Sequence, residues 1–343
     1  MNYLNDSPVM PMRIAIIKPG LLSTVQDMGR WQHLSQGVPR SGAMDALSAR
    51  IANLAVGNTI DKAVIEFTYA DALFRSEDDL LLAYSGDGAV LKAGSYVLPS
   101  DRPVYVPFGT EICLAPNASG CRTYLAVAGG WDVAEVLGSR STYITAAFGG
   151  YEGRALRPGD LLHAADNHTA ITAAWCRHLW GRAIRYPPWA IARGHFLPPN
   201  RYSIRVVPAR EFAWFVGKSV VDLLSAPFTV STRCNRMGYH LEGPALHRTV
   251  DRELISTAVV PGTVQVTGDG NPLLLMADCQ TTGGYPRIAQ VATVDMPLCA
   301  QLKPGDMIFF NEISRSEAEK LYLHRENQLN RLAASLAMHT PTM

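Results

Sequence analysis

Four loop regions combine glycines with polar side chains that can bind a small molecule. Glycine pairs allow the backbone to approach a ligand closely, and they leave backbone N–H groups pointing outward. The four regions are residues 23–30 with 37–45, 128–131 with 137–142, 235–239, and 280–286 with 261–265. These regions are therefore the candidates for a binding site.

The side chains in these regions suit a carboxylate and an amide. Arg30, Arg140 and Arg236 could each fork onto a carboxylate or a similar planar anion. Side-chain amides, which offer both a donor and an acceptor to an amide or lactam, occur at Asn235, Gln265 and Gln280. The alternative for each residue is a tight turn whose arginine caps a carbonyl or pairs with aspartate, because loop composition is only a correlate of function.

Several common catalytic signatures are missing from the sequence. It has no Walker-type phosphate loop, no Gly-x-Gly-x-x-Gly fingerprint and no Gly-x-Ser-x-Gly elbow. No lysine lies between methionines, as a biotin attachment site requires. We therefore expect no cofactor on this chain, and any ATP or metal of the reaction to be held by a partner protein.

Two local clusters are weak candidates for catalysis. Cys279 has no histidine close in sequence to act as its base, so a buried structural cysteine is expected. His240, Glu242, His247 and Asp251 could ligate a metal, but their spacing is not a known ligand spacing. We expect no metal there, only polar residues that flank a strand and a loop.

Composition excludes several classes of protein. The chain has 343 residues, 48% of them hydrophobic and 18% charged, with a formal net charge of +1. This balance is typical of a globular protein of about two domains, and it gives no basic excess for nucleic acid or anionic lipid. No apolar stretch is long enough to span a membrane. Six cysteines without a Cys-x-x-Cys pair predict reduced thiols and a cytoplasmic location.

Helices are predicted at few places. Apolar residues recur at helical spacing from Met44 to Ala55, with Ser41 as a candidate N-cap and Gly57-Asn58 as the stop. A second helix is expected from Ser316 to Met338, where Ser316 and Glu319 fit a capping box. We expect it to pack back on its own barrel. A weaker pattern covers about Ala170 to Ile184.

Most of the remaining chain has the pattern of β structure. Short apolar or alternating runs end at Gly, Pro, Asn or Asp. The runs are Leu80–Tyr84, Val104–Phe108, Thr123–Ala128, Tyr202–Val207, Val264–Thr267, Leu273–Ala277 and Met307–Phe310. Their spacing is too tight for a helix between each pair of strands. The sequence therefore predicts a mainly β fold with few helices, closer to barrels than to a doubly wound sheet.

A proline-rich segment divides the chain. Pro-Pro pairs at 187–188 and 198–199 exclude a regular helix or central strand over about 185–200. The motif order Gly-Asp-Gly, Gly-Gly-Tyr, then Arg/Lys-Pro-Gly-Asp occurs once on each side of it. This repeated motif order has two possible explanations: two related barrels, or a chance recurrence of similar turns. The predicted units are residues 13–185, 186–313, and a helix and tail at 314–343.

The sequence resembles the allophanate hydrolase subunit 2 family, which includes biotin-dependent carboxyltransferases, the C subunits of 5-oxoprolinases and a Kip-type regulator. The matching motifs are Val25-Gln26-Asp27 with Gly29-Arg30, Gly37-Val38-Pro39 with residues 41–45, Ala52-Asn53 with residues 56–58, residues 126–130, residues 137–142, residues 235–239 and residues 280–286. The resemblance runs from about Ile14 to Phe310. Cys234 and Cys279 depart from the family pattern, which leaves the exact substrate open.

The resemblance implies cyclophilin-like β-barrels and one component of an ATP-dependent 5-oxoprolinase, which opens 5-oxoproline to glutamate. The implied partners are an A subunit and a B subunit, the latter similar to allophanate hydrolase subunit 1. The implied substrate-binding residues are Arg30, Asp45, Asn235, Arg236, Gln265, Asp278 and Gln280. One alternative is the carboxyltransferase half of a biotin-dependent urea or amide carboxylase. A second is a Kip-type protein that acts only by binding a partner.

Overall fold

The computed structural model describes residues 11–249 and 254–341. Up to residue 185 the strands are β1 Arg13–Pro19, β2 Leu22–Gln26, β3 Val64–Thr68, β4 Ala72–Ser76, β5 Leu80–Gly86, β6 Ala89–Ala93, β7 Tyr96–Val97, β8 Val104–Val106, β9 Glu111–Pro116, β10 Arg122–Val127 and β11 Leu161–His163. The helices of this part are α1 Ala46–Ala55 and α2 Ala170–Leu179.

This N-terminal half consists of two sheets around one core. The six-stranded sheet has the order β11-β1-β4-β9-β6-β7, and the five-stranded sheet has the order β2-β3-β10-β5-β8. Ile14 and Phe74 from the first sheet share a buried apolar cluster with Leu82 and Leu125 from the second. Helix α1 packs on the outer face of the second sheet, where Tyr124 joins a separate cluster.

The second half is a closed barrel. Its elements are β12 Ser203–Pro208, α3 Gly217–Ser225, β13 Phe228–Cys234, β14 Gly238–Glu242, β15 Thr257–Ala258, β16 Thr263–Val266, β17 Pro272–Leu275, β18 Thr282–Gly283, β19 Arg287–Val291, α4 Met296–Ala300, β20 Met307–Glu312 and α5 Arg315–Met338. The barrel order is β12-β19-β16-β17-β14-β13-β20, closed by the parallel pair β12–β20. The predicted mainly β, barrel-type fold is confirmed.

The motif order that occurs in both halves of the sequence corresponds to one structural feature that is also repeated. Residues 157–160 and 303–306 each form a β-turn whose glycine has positive φ, +91° at Gly159 and +88° at Gly305. In each turn the glycine N–H donates to the facing strand, at Ile16 in β1 and at Val230 in β13. The same turn therefore precedes the last strand of each half, as two related halves require. The unit boundaries stay a prediction.

The helix caps differ from those predicted. Asp45, not Ser41, caps α1, since its carboxylate accepts from the Ser48 N–H at 2.9 Å. Ser314, not Ser316, caps α5 and accepts from the Glu317 N–H at 3.1 Å. Helix α2 ends at Leu179, before the predicted Ile184, because the Trp180 backbone turns to an extended ψ of 136°.

The proline-rich segment is tied to the N-terminal half. It contains a short 3₁₀ turn at Arg193–Phe196 and no strand or α-helix among residues 186–200, as predicted. Arg193 pairs with Asp87, and the Ile191 N–H donates to the Asp101 carbonyl at 2.8 Å. Among the described helices, none has the length and apolar character to cross a membrane.

Candidate functional site

A buried ionic cluster joins the two halves. Glu66 on β3 and Arg236 in the β13–β14 loop form an ion pair, and both side chains are almost fully buried. Arg236 also forks onto Asp278 at 2.7 and 3.0 Å, and it donates to the Gly42 carbonyl at 2.7 Å. Burial alone would raise the pKa of Glu66, but Arg236 and Arg122 lower it below the usual value.

Arg122 and Gln301 extend this contact. The Arg122 guanidinium donates to the Tyr239 hydroxyl at 2.7 Å and to the Ala300 carbonyl. The Gln301 side chain accepts from the Arg122 N–H at 2.9 Å and donates to the Asp45 carboxylate at 2.9 Å. Asp45 is 1% exposed and serves as the α1 cap. Arg236, Asp278 and Asp45 are thus brought together by structure, with their polar groups engaged by protein.

Arg30 lies in a neighbouring buried loop cluster. Its guanidinium donates to the Ser141 carbonyl at 2.5 Å and sits 4.8 Å from the Phe148 ring centroid. Its Nε and Nη1 have no hydrogen-bond partner within the described ranges. Asp27 ties the same loops together by accepting from Ser139, Ser141 and the Arg140 N–H. The first two glycine-rich regions therefore meet, as a single site requires.

The three amide residues occupy different positions. Gln265 is fully buried in the barrel and donates to the Tyr285 carbonyl at 3.1 Å. Asn235 is exposed and closes its own turn by accepting from the Met237 N–H at 2.7 Å. Gln280 is partly buried and lines two adjoining cavities, one of which also contains Asn235. Of the seven predicted residues, Gln280 is the one that lines the larger cleft.

That larger cleft, of about 550 Å³, lies between the halves. One wall comes from the first half and another from the second; they consist of Arg40, Ser41, Ala43, Met44 and Ala46, and of Val259, Val260, Pro261, Ala277, Cys279, Gln280 and Thr281. Helix α5 contributes Tyr322 and Arg325. Sequence reasoning missed Arg40, Tyr322 and Arg325 as site residues; the one signal was polar Arg325 in an otherwise apolar helix face. We call this space the inter-half cleft.

The structure describes the two weak catalytic candidates to different extents. Cys279 is 3% exposed, and burial raises the pKa of its thiol to about 12, as expected of a structural cysteine. In the described residues no group of three or more His, Cys, Asp or Glu side chains is placed to hold a metal. Asp251 lies outside the described residues.

Comparison with known proteins identifies relatives by sequence and by structure. The chain is 36% identical over 322 residues to the C subunit of 5-oxoprolinase from Escherichia coli (strain K12), covering 93% of this chain and 97% of that protein. It is 32% identical over 313 residues to the corresponding 5-oxoprolinase component of Haemophilus influenzae, covering 90% and 93%. The crystal structure of the Kluyveromyces lactis urea carboxylase superposes with a TM-score of 0.82 at 27% identity, covering 93% of this chain.

The chain spans 29% of that much longer urea carboxylase chain. The model of the family described as "Carboxyltransferase domain, subdomain A and B" matches residues 36–312, which include both halves and every wall of the inter-half cleft except α5 and the Trp31 and Leu34 side chains. The chain therefore belongs to the carboxyltransferase subdomain A and B family.

Proposed function

We propose that this chain is the C subunit of an ATP-dependent 5-oxoprolinase, a multi-subunit enzyme that opens 5-oxoproline to glutamate. One observation carries the proposal: the chain matches its E. coli 5-oxoprolinase relative from end to end, over 93% of one and 97% of the other. The urea carboxylase, in contrast, extends far beyond the matched part.

The chemistry explains why such a protein works in a complex. A lactam is a resonance-stabilised amide and a poor electrophile, so attack by water requires activation of its oxygen. Phosphorylation by ATP supplies that activation, and this chain has no phosphate loop of the Walker type. We assign ATP and any metal to the A and B subunits, and substrate binding to this chain. We assign the complex to the cytoplasm.

The inter-half cleft is the proposed binding site. Gln280 offers it a donor and an acceptor for the lactam, and backbone groups of the adjoining glycine-rich loops can stabilise developing charge. Arg236 and Asp45 hold the loops on either side, since Arg236 donates to the Gly42 carbonyl and Asp45 accepts from Gln301 across the junction, while Asp278 fixes Arg236 within the second half. Arg30, Gln265 and Asn235 belong to the glycine-rich regions identified from the sequence but do not line the cleft.

The test is ATP-dependent glutamate release from 5-oxoproline. The chain alone is compared with the co-expressed and co-purified A, B and C subunits. We expect turnover only in the full set. Robust turnover by the chain alone, or none in a complex verified as assembled, contradicts the proposal.

A second candidate is the carboxyltransferase half of a biotin-dependent urea or amide carboxylase. The family description and the superposition on the K. lactis urea carboxylase favour it. This function requires a biotinylated partner, which the chain itself does not provide. Carboxylation of urea by the chain together with a biotin carboxylase partner would establish this second function. The Kip-type alternative predicts partner binding that survives Gln280→Ala without a phenotype.

A further inference from the structure

The inter-half cleft presents positive charge without a matching acid. Arg40 and Arg325 both line it, and none of its described lining residues is Asp or Glu. Tyr322, one helical turn before Arg325 on α5, also lines the cleft. Two cations that face one space without an acid create a strong preference for an anion.

The Arg40 guanidinium stacks on an aromatic ring and makes few hydrogen bonds. Its guanidinium carbon lies 3.6 Å from the centroid of the Trp31 ring, a cation–π stack that fixes the plane of the group. Its Nη2 makes one long contact, 3.4 Å, to the Met28 carbonyl, and its buried Nε has no partner among the described residues. Burial lowers the pKa of Arg40 to about 10, as expected for a cation that lacks a neutralising partner.

Arg325 is anchored on one side. It is 8% exposed, and it donates to the Val294 and Thr293 carbonyls at 2.8 and 3.3 Å. Its Nε is buried without a partner in the described part of the chain.

The carboxylates nearest Arg325 are engaged elsewhere. Glu326 pairs with Arg50 at 2.7 Å, and Asp295 pairs with Arg205. Asp45 accepts from Ser48 and Gln301. The protein therefore places two arginines in the cleft and commits the adjacent acids to other partners.

We propose that Arg40 and Arg325 form a carboxylate-binding subsite in the inter-half cleft, facing Gln280, for a small substrate that carries both a carboxylate and an amide. This inference rests on the proposed function, in which that substrate is 5-oxoproline. Planar guanidinium groups suit a carboxylate because they donate two parallel hydrogen bonds. Trp31 acts as a positioning residue, since its ring holds the Arg40 guanidinium.

The experiment measures binding and turnover in the assembled complex. Calorimetric titration without ATP uses 5-oxoproline and 2-pyrrolidinone, which is the same lactam without the carboxylate. Arg40→Met and Arg325→Met remove each cation, and Arg40→Lys keeps the charge without the fork. Arg75→Met and Arg315→Met are matched controls, because each arginine is exposed, pairs with a glutamate and lies outside the cleft. Arg40→Met is decisive, since the one side-chain hydrogen bond that Arg40 makes among the described residues is the long one to the Met28 carbonyl, so the change strands no buried acid.

We expect Arg40→Met and Arg325→Met to weaken 5-oxoproline binding and raise KM by about tenfold or more. Binding of 2-pyrrolidinone should stay equally weak in all variants. Retained turnover with unchanged Kd and KM in Arg40→Met overturns the subsite and leaves the proposed function standing. If the assembled complex does not hydrolyse 5-oxoproline, the proposed function fails, and acetate becomes the probe. Acetate binding lost in Arg40→Met then upholds the subsite; no binding, or equal binding, overturns it.

Discussion

At the scale of single residues, the Arg236 guanidinium is the principal charge that bridges the halves. It neutralises Glu66 from the first half and Asp278 from its own half, all three nearly inaccessible to water. Removing one partner of a buried pair leaves the other charge uncompensated, which costs about 3–5 kcal/mol. We expect Arg236→Met to lower the free energy of unfolding in urea by about that amount.

The control for this prediction is an exposed pair. Arg315 and Glu319 on α5 are 86% and 59% exposed, and such pairs contribute about 0–1 kcal/mol. Arg315→Met should therefore unfold like the wild type. Adding Asp278→Asn to Arg236→Met should recover part of the loss, because one orphaned charge is removed. Equal losses in Arg236→Met and Arg315→Met would contradict this account.

Glu66 also predicts an acid dependence of stability. Arg236 and Arg122 outweigh the opposing effect of burial and lower the pKa of Glu66 below its ordinary 4.5. A carboxylate with a depressed pKa stabilises the fold above the unfolded pKa, and that contribution is lost as pH falls through the folded pKa. The difference in unfolding free energy between wild type and Glu66→Gln should therefore be constant well above pH 4.5 and shrink below it. Urea unfolding over a pH series measures this; a difference that stays constant into acid would refute it.

At the scale of elements, local sequence patterns predicted strands well and helix ends poorly. All seven predicted strand runs overlap observed strands. Short apolar runs between turn residues rarely form any secondary structure other than a strand. Helices α3 and α4 were missed. Helix α4 has five residues, too few for a periodic pattern, and residues buried on α3 are only Ser219 and Leu223. Ser41 is not the cap because α1 begins only at Ala46, which puts Asp45 at the cap position; Ser41 lies in the preceding turn with a positive φ of 53°.

The cap of α5 gives a prediction at this scale. The Ser314 hydroxyl accepts from the Glu317 N–H, whereas Ser316 lies inside the first turn. Losing a serine cap costs about 1 kcal/mol, and an exposed serine in a helix interior costs little on change to alanine. Ser314→Ala should speed amide exchange at Glu317 and Ala318 roughly fivefold, and Ser316→Ala should not. Faster exchange in Ser316→Ala alone would instead support the capping box expected from sequence.

At the scale of the whole molecule, the site depends on contacts that no local pattern contains. The four glycine-rich regions were identifiable from sequence, and three of them contribute to the junction or the cleft walls. Arg40 and Arg325 come from the first half and the last helix, so only the tertiary fold brings them to one space. The buried state of Arg236 and Asp45 was also beyond sequence reasoning, because their partners lie on distant elements.

The same junction predicts that the two halves unfold together. Gln301 of the second half makes four hydrogen bonds to Asp45, Cys121 and Arg122 of the first half, all of them buried. Separating the halves would lose the net contribution of these bonds, about 0.5–1.5 kcal/mol each, together with the buried Arg236–Glu66 pair, so neither half should open alone. In native-state hydrogen exchange with added urea, the slowest amides of β10 and of β16 should converge on one free energy.

Gln301→Leu removes those bonds and should lower that shared free energy in both strands by a similar amount. Lys218→Met on α3 is the control, since Lys218 is 81% exposed and pairs only with the nearby Asp222 among the described residues. Exchange in β16 at a distinctly lower free energy than in β10 in the wild-type protein would show that the barrel opens independently. The inter-half cleft would then lie between parts that open separately, whereas convergence means that the two halves that form its walls open only together.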